Sequence, residues 1–472
     1  MSRLSLFVFL LLTVACHPPK TASGGPPAPG PIPSSSCDGK APVDPAIAHV
    51  PGVRASWFND PSGRERLYVL EAGPPERHAR EPPLVLIHGV GAIGTADYYP
   101  ALAQLSRKRH VLAIDLPGFG RSNPEDQDFG PERLARSVDV VVRACAPGKI
   151  DLLGHSSGGS LALLFAAKRA DVVRRLVLAD VAGILRPEVL LHGQLHQTLT
   201  PMHDHVPHLA NAVEKTGGVL VDALHALVPN AKDVAESGVV GHSPGVLAAS
   251  ALLDFNFGPA ISEVRAPTLI LWGKEDFVVP TRIERLLHSR LARSEVIFIA
   301  DSGHVPMKDQ PERMATLVNE YLDGAELKEP EVAVPLAKEL HDGSCNDQDD
   351  LTLTGDFDKV IVSRCKRVHL NKVRARQIMI RKSDGHLDDC QVSDSLAVYD
   401  SDLFITGSEL RGTVALDVSE SELDIAGVVI SGSEAAVRVH QKSHIVLSVT
   451  KVHSPKTDSF MHVALDLKED EL

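Results

Sequence analysis

Ile150-Asp151-Leu152-Leu153-Gly154-His155-Ser156-Ser157-Gly158-Gly159 is the stretch on which the reading of the chain turns. A short aliphatic run ends in a serine bracketed by glycines, G-x-S-x-G, and Ser160 to Arg169 continues with helix-like spacing. A strand that breaks this sharply into a helix crowds its own backbone, so small residues are needed on both sides of the serine. The turn lifts the hydroxyl of Ser156 to the top of the sheet. The first turn of the following helix points unpaired N–H groups at any negative charge that develops there. A plain Gly/Ser turn would leave the same local pattern, so the neighbouring segments have to decide.

They alternate in the way a parallel sheet covered on both faces requires. Leu84-Val85-Leu86-Ile87, His110-Val111-Leu112-Ala113-Ile114, Leu176-Val177-Leu178 and Thr268-Leu269-Ile270-Leu271 are continuous apolar runs, separated by longer helical stretches between about Val53 and Tyr321. Reactive residues in such sheets gather at the carboxyl ends of the strands. Asp276 follows one such end, in Trp272-Gly273-Lys274-Glu275-Asp276, and His304 follows the next, in Asp301-Ser302-Gly303-His304. A serine, a carboxylate and an imidazole placed this way suit nucleophilic catalysis. The imidazole takes and returns the serine proton, and the carboxylate fixes its tautomer. His304 could instead be a surface loop histidine, and Asp180, at the end of Leu176-Val177-Leu178-Ala179-Asp180, is a rival for the acid.

The order Ser156, Asp276, His304 on strand–turn–helix segments resembles the α/β-hydrolase superfamily, in its serine esterase and lipase-like branch. The resemblance implies an α/β fold over residues 49–325: a mostly parallel, doubly wound sheet with a helical cap at about 184–262. It also implies an oxyanion hole made by the N–H groups of Ser157 and of Val90, the latter in His88-Gly89-Val90-Gly91. Asp115-Leu116-Pro117-Gly118-Phe119-Gly120-Arg121-Ser122 matches another loop of the family and is read as a structural turn. Dehalogenases and epoxide hydrolases of the superfamily carry Asp where this chain has Ser156, which disfavours those reactions.

Within the cap, Met202-His203-Asp204-His205-Val206-Pro207-His208 suggests a metal site, but Pro207 interrupts any helix and a solvated loop is preferred. Leu190, Leu191, Leu195, Leu199, Leu220, Leu224 and Leu227 would form an apolar lining suited to an apolar ester. No cofactor and no metal is expected.

The ends of the chain are of a different kind. Arg3 followed by the apolar run Leu4 to Val14 fits a signal peptide over residues 1–15 and is too short for a spanning helix. Small residues before Cys16 suggest lipidation there, hence a membrane-anchored cell-envelope lipoprotein; ordinary secretion is the alternative. Residues 16–48 are Pro-, Gly- and Ser-rich and read as a tether. With 43% hydrophobic and 23% charged residues, the 472-residue chain has neither the composition of a disordered protein nor that of a polytopic membrane protein. A net charge of −13 argues against a nucleic-acid partner.

Residues 326–350 read as a linker, and beyond it an internal repeat begins. Ser401-Asp402-Leu403-Phe404-Ile405-Thr406-Gly407 aligns with Ser421-Glu422-Leu423-Asp424-Ile425-Ala426-Gly427 at an offset of 20, and Ser443-His444-Ile445-Val446-Leu447 follows at 22. Short apolar strands at such a period signal a solenoid. The expectation for 351–456 is an all-β, parallel β-helix-like domain with an aliphatic core; a β-sandwich is the alternative. Cys365 and Cys390, about one coil apart, are candidates to pair, and 457–472 reads as an acidic tail. The domain is expected to be a spacer or to meet a protein or glycan partner.

The whole then reads as a serine hydrolase that cleaves a small carboxylic ester or thioester through an acyl-enzyme. The alternatives are the same triad acting on an amide, C–C or peroxyacid bond, or a non-catalytic surface binding lipoprotein.

Overall fold

The computed structural model describes residues 40–59, 65–74, 81–91, 93–122, 128–186, 244–326, 341–468 and 470–472. An eight-stranded sheet is built from β1 (Arg54–Asn59), β2 (Arg66–Ala72), β3 (Leu84–Ile87), β4 (Val111–Ile114), β5 (Ile150–His155), β6 (Val173–Ala179), β7 (Thr268–Gly273) and β8 (Ser294–Ile299). Its order is β1-β2-β4-β3-β5-β6-β7-β8. β2 runs antiparallel to β1 and β4, and every pairing from β4 to β8 is parallel. The central strands β3, β4, β5 and β7 are buried along their whole length, because helices cover both faces. One face packs on the helices Pro131–Cys145 and Ser157–Lys168, and the other on Tyr99–Leu105 and Pro311–Leu322.

Two glycines permit a close approach of helix to sheet. A Cβ on Gly154 would lie 2.2 Å from the carbonyl oxygen of Gly158, and one on Gly158 would lie 2.4 Å from those of Ile87 and His88. The helix Ser157–Lys168 can therefore sit directly on β3 and β5 only because both positions lack a side chain.

The second domain corrects the β-helix expectation. Its strands are β9 (His341–Asn346), β10 (Thr352–Ser363), β11 (Val368–Arg381), β12 (Asp384–Asp388), β13 (Gln391–Tyr399), β14 (Asp402–Thr406), β15 (Glu409–Ser419), β16 (Glu422–Ala426), β17 (Val429–Val439), β18 (Ser443–His453), β19 (Asp458–Leu467) and β20 (Asp470–Glu471). The repeat is real as strand register, since Asp402 to Thr406 pair with Glu422 to Ala426. The pairings, however, run β11-β12-β14-β16-β18-β17-β15-β13 and return to β11, all parallel. The result is a closed eight-stranded parallel barrel rather than an open solenoid or a sandwich. Two long strands close it. β11 pairs with β12 through Val368–Asn371 and with β13 through Arg374–Arg381; β18 pairs with β16 through His444–Ser448 and with β17 through Lys451–His453. Each turns the corner at a left-handed residue, Lys372 at φ 53° and Val449 at φ 52°. The core of the second domain is aliphatic apart from three cysteines, with Phe357 of β10 the one aromatic in its described buried cluster.

Other expectations shift too. β9 lies in the stretch read as a linker, and β19 and β20 lie in the stretch read as an acidic tail, where they pair antiparallel with β18 and β17. Cys365 bonds to Cys345, not to Cys390, which is a buried free thiol; Cys145 is also disulfide-bonded. The signal peptide, Cys16 and most of the tether lie outside the described residues, and no helix among those described is long and apolar enough to cross a membrane. Most of the cap, including His203, His205, His208 and the seven leucines, also lies outside the described residues.

The two domains share one core. Ala426, Val446 and Val449 of the barrel belong to the same buried cluster as Phe257, Ile261 and Leu286 of the hydrolase-like domain. Three arginines on the helix Arg282–Arg290 reach across: Arg282 to the carboxylate of Asp424, Arg285 to Asp388, and Arg290 to the carbonyl oxygens of Gly407, Ser408 and Gly427.

Candidate active site

Ser156 sits in the break between β5 and the helix Ser157–Lys168 with φ 54° and ψ −126°. Such a backbone is strained for a residue with a side chain, and strain of this kind concentrates at functional sites. It holds the hydroxyl above the sheet. The Oγ of Ser156 lies 3.0 Å from Nε2 of His304, and Nδ1 of His304 lies 2.9 Å from Oδ2 of Asp276. Residues 120 and 148 positions beyond Ser156 are thus brought into one hydrogen-bonded line at the carboxyl ends of β5, β7 and β8. The same line settles the tautomer. With Asp276 accepting from Nδ1–H, Nε2 faces the serine hydroxyl as an acceptor.

Asp276 is buried, which by itself would raise its pKa. The hydrogen bond from His304 and those from the backbone N–H groups of Val279 and Val278 outweigh that and hold it below the ordinary carboxylate range. The His304 loop is anchored from several sides. Glu275 accepts the N–H of Ser302, Asp309 accepts the N–H of Gly303, and His155 donates from Nε2 to the carbonyl oxygen of His304 at 2.6 Å. His155 is fully enclosed. Burial, and then the neighbouring His304, push its pKa down to about 4.

The loop after β3 lies against Ser156, since a Cβ on Gly89 would come within 2.8 Å of the Ser156 Cβ. Val90 follows in that loop, half-buried against the core, and Ser157 opens the helix. Ser157 thus adjoins Ser156 in the chain, and Val90 follows the glycine that lies against it. His88 fixes the loop, donating from Nδ1 to the carbonyl oxygen of Gly89 and accepting the N–H of Leu116 at Nε2. Asp115 is structural, as its loop was read: its carboxylate takes the N–H groups of Thr95 and Arg121.

Asp180, the rival acid, is completely buried behind this line, with φ 45°. It does not replace Asp276, because His304 Nδ1 bonds to Asp276. Among the described residues, Asp180, Asp276 and His304 form a group whose ligand atoms all lie within 4.8 Å of one another. Both imidazole nitrogens in it are already engaged by Ser156 and Asp276, so the group is not built as a cation site. Sequence reasoning missed His155, Glu275 and Asp309. Glu275 and Asp309 carry no motif. His155 stood in plain view inside G-x-S-x-G, but its partner, a backbone carbonyl 149 residues away, cannot be inferred from spacing.

Comparison with known proteins finds the following likenesses. A model of the alpha/beta hydrolase family matches residues 84–317. A 2-hydroxy-6-oxo-6-(2'-aminophenyl)hexa-2,4-dienoic acid hydrolase of Metapseudomonas resinovorans is 27% identical over 288 residues, covering 56% of this chain and 90% of its own. A pimeloyl-[acyl-carrier protein] methyl ester esterase of Neisseria meningitidis is 29% identical over 251 residues, covering 52% of this chain and 78% of its own. A hydrolase of Pseudomonas aeruginosa of known structure is 20% identical, with a TM-score of 0.43 over 57% of this chain and 98% of its own. Over residues 84–317 the chain is thus similar to the alpha/beta hydrolase family.

Proposed function

We propose that this chain hydrolyses a bond beside a carbonyl group through an acyl intermediate on Ser156, with a carbon–carbon bond of an oxo acid as the first substrate class. The observation that carries the reading is the line from Ser156 Oγ through His304 to Asp276, at 3.0 and 2.9 Å. His304 Nε2 takes the hydroxyl proton as Oγ attacks the carbonyl carbon. The carbonyl electron pair moves onto oxygen, facing the N–H groups of Ser157 and Val90. Asp276 stabilises the imidazolium that forms. Collapse expels the leaving group, which takes the proton back from Nε2. A water molecule, deprotonated by the same nitrogen, then attacks the acyl carbon and frees Ser156.

The leaving group separates the two readings. An ester loses an alkoxide. A carbon–carbon bond breaks only if the departing carbanion is delocalised, as into a conjugated dienoate. The named reaction of the Metapseudomonas relative supports the carbon–carbon reading. The methyl ester esterase from Neisseria supports carboxylic ester hydrolysis as the second.

A fluorophosphonate probe should label the wild type and not Ser156→Ala. Protein not treated with the probe should cleave 2-hydroxy-6-oxo-dienoates, followed by loss of the dienolate absorbance, faster than p-nitrophenyl esters, and prior labelling should abolish both activities. An unlabelled wild type would refute the serine mechanism. Ester turnover without dienoate cleavage would overturn the carbon–carbon reading in favour of the second.

A further inference from the structure

Asp180 is a buried acid with no role in the steps above. Its Oδ1 accepts the backbone N–H of Gly273 at 2.8 Å, and its Oδ2 meets no donor. The group it faces is the carboxylate of Asp276, within the 4.8 Å cluster that also holds His304. Asp309 adds a further negative charge nearby. Two carboxylates this close in a dry site cannot both be ionised, so one of them carries a proton.

The donor inventory decides which. Asp276 receives three hydrogen bonds, from Val278 N–H, Val279 N–H and His304. Asp180 receives one. Hydrogen bonds to a carboxylate favour its ionised form, so the proton resides on Asp180. Burial first, and then Asp276, raise the Asp180 pKa well above the ordinary carboxylate range, in the same direction. A protonated carboxyl is a donor, and an ionised carboxylate offers about four lone-pair positions, one more than the three donors that Asp276 already meets.

We propose that Asp180 stands as a neutral carboxylic acid whose Oδ2–H donates to Asp276, making it a positioning residue that acts on His304 through Asp276. The inference rests on the triad reading above. It deepens that reading by giving the acid at the end of β6 a part different from the one at the end of β7. The proton keeps a single negative charge beside the imidazole, and it holds the Asp276 carboxylate in the plane that meets Nδ1.

The test uses the intact chain and the variants Asp180→Asn and Asp180→Gly. Asn tolerates the left-handed backbone and keeps a neutral donor, whereas Gly tolerates it and removes the donor. Infrared difference spectra of wild type against Asp180→Asn near neutral pH should show a protonated-carboxyl band in the wild type that the variant lacks. If the two spectra agree in that region, Asp180 is ionised and the proposal falls. Fluorophosphonate labelling rates across pH give an independent readout. Asp180→Asn should slow labelling by about threefold, and Asp180→Gly by at least about tenfold, which is the scale of one lost hydrogen bond to a charged group. The acid limb of the Asp180→Asn profile should stay within about 0.3 pH units of wild type. A shift of that limb to lower pH by about a unit or more would mean that a negative charge had been removed beside His304, which would overturn the neutral assignment. A wild type that does not label at all defeats the triad reading instead, and the infrared result still reports on Asp180.

Discussion

At the scale of single residues, the site depends on groups that must stay uncharged as well as on those that react. His155 is enclosed beneath His304 and holds its backbone carbonyl. Its pKa moves from an ordinary 6.5 to about 4 on folding. Between those pH values the unfolded chain binds a proton that the folded chain does not, so stability rises with pH there and is lost as pH falls. The difference amounts to about 3 kcal/mol in full. Chemical denaturation at pH 7 and pH 4.5 should show the wild type losing about 2–3 kcal/mol more than His155→Gln. Equal losses in the two proteins would count against a buried neutral imidazole. Of the site itself, Ser156, Asp276 and His304 were legible because each follows an apolar strand and carries a reactive side chain. His155 and Asp180 were not assignable in the same way, because their roles come from what lies beside them after folding.

At the scale of elements, the strands of the eight-stranded sheet were legible in apolar runs, because a strand buried on both faces admits little else. The helix Arg282–Arg290 was a different matter. Its arginines look like an ordinary solvated face, yet Arg290 is half-buried between the domains with three carbonyl oxygens as partners. Removing it leaves those acceptors facing a space without donors. We expect Arg290→Ala to destabilise the chain by about 2–4 kcal/mol, since hydrogen bonds to a charged donor are worth about 1.5–3 kcal/mol each and part of the loss is relieved by water. At this size the midpoint of thermal unfolding should fall by about 2–4 °C. Arg290→Lys should recover little of it, because an ammonium cannot spread donors as a planar guanidinium does. A midpoint unchanged in the alanine variant would show that the contact contributes nothing to docking.

At the scale of the whole molecule, the barrel completes the α/β domain rather than trailing from it. Phe460 packs on Gly258 so closely that a Cβ there would lie 2.6 Å from its ring, and Asn256 donates to the carbonyl oxygen of Phe460. With Ala426, Val446 and Val449 in the shared core, a chain ending at Gly324 would expose the apolar face beneath them. We expect that truncated chain to bind a hydrophobic dye and to aggregate at concentrations where the full chain is soluble. A soluble truncated protein with wild-type fluorophosphonate reactivity would show that the barrel is dispensable to the fold.

The sequence by itself determined the α/β sheet, the nucleophile turn and the order of the reactive residues, because apolar runs, glycine at crowded backbone and a serine between them are local requirements. It also determined the register of β14 on β16, since the offset of 20 residues is the distance from one of these paired strands to the other. Tertiary structure alone decided that the barrel strands close on themselves. A repeat states which residues pair, while closure depends on whether β11 and β18 bend far enough at Lys372 and Val449 to pair on both sides. It alone also decided between two acids. Asp180 and Asp276 both follow apolar strands, and only the count of hydrogen-bond donors around each separates the carboxylate from its neighbour.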